Sequence, residues 1–469
     1  MNKLTSLAVA VLATTSMLSV ASAVEITPNF GGYVRAGLDH AKHGKFSSWN
    51  KNKVGRLGNE SDIWGEIALG ASFNGAKDTI WGIQTRAAYS NENGEKTDAK
   101  KLYLDEYYGT VKNVFSFSKD ATIWVGKRYY HREENHMLDW KWYQIEGFGA
   151  GVEYMDLGPG KFSFAWFSAT DNDFSYEQKE TVGWVKDVND KENLKNNEWK
   201  GSGSNSKSYF KTDIVTEKFD VEYGLTPWDG AWLNFRSTLL LPEVDDNKYM
   251  EVVKQPKFSN GNIFAVSLDN YYSLGSCKTV VQFIKGPNSA SPFGNGSWID
   301  YWNAEAANES HRWQFLNYGD MKFGDFGIAH SLYYTVASGF RGDLEDKESD
   351  KAFSFAIRPY YKLTDITKIT AELGLFTETD TYHNGKSDNY KGQKATLAYV
   401  LSPDAGNWKS RPELRFYVTY LHGNHNEALR NSPTQDKAMT IHYKNGVVEK
   451  YDHPRDNQVI FGAQLEAWW

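Results

Sequence analysis

Apolar and polar residues alternate one by one along much of this chain. In the run GAQLEAWW, residues 462–469, Ala463, Leu465, Ala467 and Trp469 share one face, while Gly462, Gln464, Glu466 and Trp468 share the other. In IWGEIALGASF, residues 63–73, Ile63, Ile67, Leu69, Ala71 and Phe73 lie opposite Trp64, Glu66, Gly70 and Ser72. ITKITAELGLF, residues 366–376, sets Ile369, Ala371, Leu373 and Leu375 against Lys368, Thr370, Glu372 and Gly374. PELRFYVTYL (412–421) and FDVEYGL (219–225) repeat the arrangement. Period two is the signature of a β-strand, whose successive side chains point to opposite faces. Each of these strands therefore carries one greasy and one charged face. A soluble sandwich buries the first and wets the second. A transmembrane barrel turns the first to lipid and lines a watery lumen with the second. Periodicity alone does not separate the two.

The N-terminal residues and the composition favour the barrel. Asn2 and Lys3 precede a mostly apolar stretch, Leu4 to Val20, and Ala21-Ser22-Ala23 supplies small residues at a cleavage position. That pattern predicts a signal peptide over residues 1–23, leaving 24–469 as one barrel domain. No later segment reaches the roughly twenty apolar residues of a spanning helix. Apolar residues make up only 40% of the chain, yet aromatics reach 15%, with 17 Trp and 28 Tyr. Aromatic residues concentrate in strands and at membrane–water interfaces. The single cysteine, Cys277, excludes an intrachain disulfide and is too little for a zinc cluster. A net charge of −7 argues against nucleic acid as a partner. The run Arg132-Glu133-Glu134-Asn135-His136 lacks the spacing of a metal-binding helix, and no metal or cofactor is expected.

Polar stretches at 90–101, 186–207, 341–351 and 424–437 read as long exposed loops, and LTDIT (363–367) as a tight turn. Long loops on one rim and short turns on the other fit an outer-membrane barrel. A water-filled pore becomes a sugar channel when inward aromatic rings stack on pyranose faces and inward polar groups bond the hydroxyls, without any one contact holding the sugar long. FGGYVRAG (30–37) turns Tyr33 and Arg35 to one face, and GRLGNESDIWGE (55–66) offers Arg56, Trp64 and Glu66. The segment 121–151 starts as a strand and then crowds Arg, His, Glu, Asp and Trp together, as a segment folded into the pore would.

The runs RLGNE, GKRYY, HMLDW, GAGVEYMDLG, SRPELRFY and FGAQLEAWW occur in this order between Phe30 and Trp469. In them the chain resembles the maltoporins, the sugar-specific porins of Gram-negative outer membranes; the match is weakest over 170–350. The resemblance implies an all-β fold, an antiparallel transmembrane barrel of 18 strands. It also implies long extracellular loops, a third loop near 128–143 folded into the lumen, and assembly as a homotrimer. It places Tyr33, Trp64 and Trp468 on an aromatic slide for sugar, and Trp408 too once a one-residue insertion before Ser410 is accepted. Trp469 would face outward. Arg35, Arg56, Glu66, Arg132, His136 and Asp139 fall on the polar track and constriction.

The chain also departs from the pattern. Ser276 stands where the family has a slide Phe. Residues 90–102 lack the loop Trp that a neighbouring subunit lends to the channel mouth. Asp105 replaces a constriction Arg, Lys141 a Tyr flanked here by Trp140 and Trp142, Gln144 an Asp, and Ser61 a Cys. An Asp105–Lys141 pair would contribute only about 0–1 kcal/mol and would act on selectivity rather than stability. The expectation is an outer-membrane channel for maltodextrin or a related oligosaccharide, held in outer-membrane lipid and catalysing no reaction. Sucrose or β-glucoside-type sugars are an alternative substrate class, and a general diffusion porin an alternative function. A secreted lectin would be soluble without detergent, and an outer-membrane enzyme would need a nucleophile motif that the sequence does not offer. For the inward charges the plain reading is a network that stiffens the lumen, and for Trp469 a place in the interfacial girdle.

Overall fold

The computed structural model describes residues 26–43, 46–91, 102–171, 175–178, 208–211, 214–244, 258–290, 307–341, 347–434, 440–444, 447–452 and 455–469. The expected signal peptide and the stretches 92–101 and 186–207 lie outside them. Eighteen antiparallel strands form one sheet. The first, Ile26–Ala41, pairs with the second, Ile63–Asn74, and with the last, Asn457–Trp468, so the sheet closes on itself. Closure leaves no strand edge unpaired, the condition lipid imposes on a spanning sheet. Two small hairpins, Ser175–Gln178 with Ser208–Lys211 and Thr440–Lys444 with Val447–Asp452, stand apart from this wall.

The alternation read from the sequence maps onto the wall inside out. On the strand Thr367–Tyr382, Ile369, Leu373 and Leu375 are exposed, while Lys368, Thr370 and Glu372 are buried. On Glu413–Gly423, Leu414, Phe416, Val418 and Tyr420 are exposed, and Glu413, Arg415, Tyr417 and Thr419 are buried. Apolar side chains outside and ionic ones inside suit lipid around an aqueous interior, and the buried charges are paired as burial demands. Arg312 illustrates this, with two bonds of 2.7 and 2.8 Å to the Asp350 carboxylate on the next strand but one.

Several expected loops are more ordered than the sequence suggested. Residues 347–351 belong to the strand Lys347–Lys362, where charged residues still alternate in burial. The stretch 424–437 contains a short helix, His425–Asn431, capped by the Asn424 side chain accepting from the Glu427 amide at 3.1 Å. The third loop is largely a bent hairpin, because one strand runs on to Asn135 and the next begins at Trp140. His131 and Asp139, both at φ 49°, and register shifts beyond Tyr130 turn it inward. Tyr143 of this hairpin donates to Asp220 at 2.5 Å, and Trp142 donates to Tyr318 at 2.9 Å, across the lumen side of distant strands.

The first connection also folds inward, which the sequence reading did not anticipate. Its helix Lys51–Val54 and the residues after it pack Val54 and Leu57 against Phe376, Val400 and Leu421 of the wall. The Leu57 amide donates to Glu372 at 2.9 Å, and Arg358 bonds the same carboxylate at 2.6 Å. Gly55 passes this carboxylate at φ 93°, where an added Cβ would collide with it. The two inward segments meet inside the lumen, where the Arg56 amide donates to the Met137 carbonyl at 3.1 Å.

Candidate functional site

Three neighbouring strands set the aromatic face. Tyr33 lies between Glu66 and Trp468 in the strand register, and Arg35 lies between Trp64 and Glu466. Along each of the three strands a ring and a charge therefore follow one another on one inward surface, and across them Tyr33 sits beside Trp468. The Tyr33 hydroxyl donates to Glu466 at 3.0 Å and accepts from Arg56 at 2.7 Å. The Trp64 indole N–H donates to Glu66 at 2.9 Å. Each ring is held at its polar edge, which leaves its apolar face available. Trp408 comes from the connection 402–412 at the short-turn rim and is largely buried. His136, on the inward hairpin, stands between the two tryptophans, with ring centroids 5.0 Å from Trp468 and 5.9 Å from Trp408.

The expected polar track divides by accessibility. Arg56 is only 1% exposed. It bonds Glu60 at 2.9 Å and Glu466 at 3.0 Å, and approaches His136 at 3.2 Å. Arg35 is likewise buried, between Asp62 at 2.5 Å and Asp139 at 3.0 Å. Asp139 also takes Lys51 at 2.7 Å. Burial would raise the Asp139 carboxyl, but Arg56, Lys51 and Arg35 together hold it well below the usual carboxylate range. These groups clamp the two inward segments to the aromatic wall. Arg132 reaches Glu66 with two bonds of 3.2 Å and remains partly open to the lumen, while Arg86 holds the same carboxylate at 2.7 Å.

Asp105 and Lys141 do not meet. Asp105 is the extra residue of a bulge, since Glu106 pairs with Arg86 and Leu104 with Ala87, and its carboxylate takes a hydrogen bond from Tyr129. Lys141 faces Glu134 across the hairpin and forms no salt bridge among the described residues. The surface pair imagined from the sequence is thus absent, and the Lys141 ammonium lies instead in the field of Asp139, Glu134 and Glu66.

Some participants were not singled out in the sequence. Glu466 joins Arg56, Arg411 and Arg415 and accepts from Tyr33, which makes it the hub of the wall network. Its inward parity beside Trp468 was visible, but its partners are far away in sequence. Lys51 and Asp62 carried no such signal. Below His136 the lumen opens into a cavity of about 460 Å³ lined by Trp408, Trp468, Lys278 and Tyr318 among others. A second cavity of about 480 Å³, lined by Gln84, Arg86, Glu106 and Arg128, is polar. Trp469 turns away from both rings of its wall face, packing on the exposed Phe30 at 5.6 Å.

A family model described as LamB porin matches residues 29–469. Maltoporin 1 of Klebsiella pneumoniae subsp. pneumoniae is 29% identical, over 99% of this chain and 98% of its own length. Maltoporin 2 of Yersinia pseudotuberculosis is also 29% identical, over 94% of each chain. Maltoporin 1 of Aeromonas salmonicida is 27% identical, over 98% of this chain and 99% of its own.

Proposed function

Because the chain belongs to the LamB porin family, we propose that this outer-membrane barrel is a sugar-specific channel for maltodextrin or a related oligosaccharide. The observation that carries this reading is the inward row of Trp64, Tyr33 and Trp468, continued by Trp408, with a charged neighbour beside each ring. A pyranose presents apolar C–H faces and a rim of hydroxyls. Rings take the faces, and the rim exchanges bonds with Glu66, Arg132, His136, Asp139 and Lys141. Arg35 and Arg56 act by holding that surface in place, and Asp105 tunes the charge of the mouth. Each contact is weak, so the sugar steps from ring to ring down its gradient. The protein works as a homotrimer, after cleavage of residues 1–23.

Lys141 favours a variation on this reading. An ammonium with no direct salt bridge stands where the family resemblance calls for a Tyr ring, so the hairpin offers a donor in place of a flat wall. A compact disaccharide such as sucrose, rich in acceptor oxygens, suits it. The test is a planar-bilayer titration with maltotriose and with sucrose, on the wild type and on Trp64→Ala. Block of the ion current by one of the sugars, weakened in the variant, is the expected result. A current unaffected by either sugar would leave a general diffusion porin.

A further inference from the structure

Tyr271 is an aromatic ring that the passage leaves uncovered. On its strand, Gly261–Tyr272, Ile263, Ala265 and Ser267 are buried, while Phe264 and Val266 are exposed on the outer face. The same alternation turns Asp269 and Tyr271 inward. Asp269 confirms the direction, because it bonds Lys278 at 3.2 Å, and Lys278 in turn bonds Glu133 of the inward hairpin at 2.6 Å. Tyr271 is nevertheless 64% exposed, and it lines the 460 Å³ cavity together with Trp408 and Trp468.

Its neighbours are polar and fixed. Tyr271 is paired in register with Ser276, and Ser276 with Asp320. The Ser276 hydroxyl donates to Asp320 at 3.1 Å, and Lys409 approaches the same carboxylate at 3.3 Å. An open ring beside oriented hydroxyl, carboxylate and ammonium groups, in a cavity walled elsewhere by two indoles, has the makeup of a ligand pocket: apolar surface with a few convergent polar groups. The sequence reading found no ring at 276. The strand next to it supplies one at the same level of the wall.

We propose that Tyr271 is a sugar-stacking residue of the chamber at the short-turn rim, working with Trp408 and Trp468 on an oligosaccharide leaving the constriction. The inference rests on the sugar-channel reading and adds a contact to it. Its test is the block of single-channel current by maltotriose and sucrose in Tyr271→Ala, Tyr271→Phe, Tyr271→Leu and the outward control Tyr272→Ala. Loss of one stacking ring is expected to weaken block about three- to ten-fold in the alanine variant. The phenylalanine and Tyr272 variants should stay close to wild type. The leucine variant, which keeps apolar bulk without a ring, should resemble alanine and stands in for it should alanine fail to form channels. Block of the wild type that is unchanged in the alanine or leucine variant overturns the inference alone. Absence of block in the wild type overturns the sugar-channel reading and this inference with it.

Discussion

Arg411 lies over Trp468, its guanidinium carbon 4.0 Å from the ring centroid. The same guanidinium bonds Glu466 at 2.7 Å, so the cation is fixed before it meets the ring. A contact of this kind stabilises by about 0.5–2 kcal/mol and covers one face of the indole. His136 meets another side edge-on, with planes 88° apart. Trp468 is therefore presented in one orientation. Replacing it by alanine removes the ring at the head of the lower chamber, and sugar block in planar bilayers is expected to weaken roughly ten-fold. Arg411 and His136 then lose the surface that positions them, so the open-channel conductance should rise as well.

Glu466→Gln is expected to destabilise the barrel more than it alters conduction. The carboxylate bridges Arg56, Arg411 and Arg415 at a site closed to water. Breaking a buried ionic cluster by removing one partner costs about 3–5 kcal/mol. Denaturant unfolding in detergent checks this, and a midpoint equal to wild type would contradict the hub role.

Asp139 supplies a pH signature. Its carboxyl is depressed in the folded channel, so its contribution to stability is fully present above the unfolded value near 3.9 and fades as pH falls through the lower folded value. The stability difference between wild type and Asp139→Asn should accordingly be constant from pH 7 to 5. It should shrink only as the solution becomes strongly acidic. Unfolding curves of both proteins across that range report it, and a difference that decays near neutrality would point to another group.

The two terminal tryptophans should answer differently to lipid. Trp469 is 51% exposed against Phe30 on the outer face, whereas Trp468 faces His136 and Arg411 within. Phospholipids brominated on their acyl chains should quench the fluorescence lost in Trp469→Phe and spare that lost in Trp468→Phe. Equal quenching of the two components would mean that the strand is placed with its faces reversed.

Lys141→Glu should move the reversal potential of a salt gradient towards cations. The ammonium has no direct salt bridge among the described residues, lies on the inward hairpin opposite Glu134, and feels Asp139 and Glu66 only through space. Fixed charge at a constriction raises the local concentration of counter-ions. Lys409→Glu, whose ammonium is already shared with Asp320, should change selectivity less.

The wall was legible because lipid outside and water inside impose a two-residue period on every spanning strand. Ile369, Leu373 and Leu375 against Lys368, Thr370 and Glu372 needed no distant partner to be assigned. Charge misled the reading at 347–351, where an ionic lumen accepts residues that a water-exposed loop would also accept. The inward first connection was hidden for another reason. Its anchor is Glu372, 315 positions from Leu57, and nothing local in 42–62 marks that contact. At the constriction, residue types were readable but their meeting was not, since the bulge at Asp105 redirects its carboxylate to Tyr129. Tyr271 escaped notice because two tyrosines in a row look alike until register shows which one faces Ser276.

The seam where the first strand meets the last has a consequence for biogenesis. On its second edge the first strand pairs residues 33–41 with 460–468, and the residues between them must all be made before that union can occur. Closure cannot begin on the ribosome while synthesis continues. The barrel is therefore sealed only once the last strand is in place, and a chain lacking its final twelve residues would arrive with a gap that no bilayer can heal.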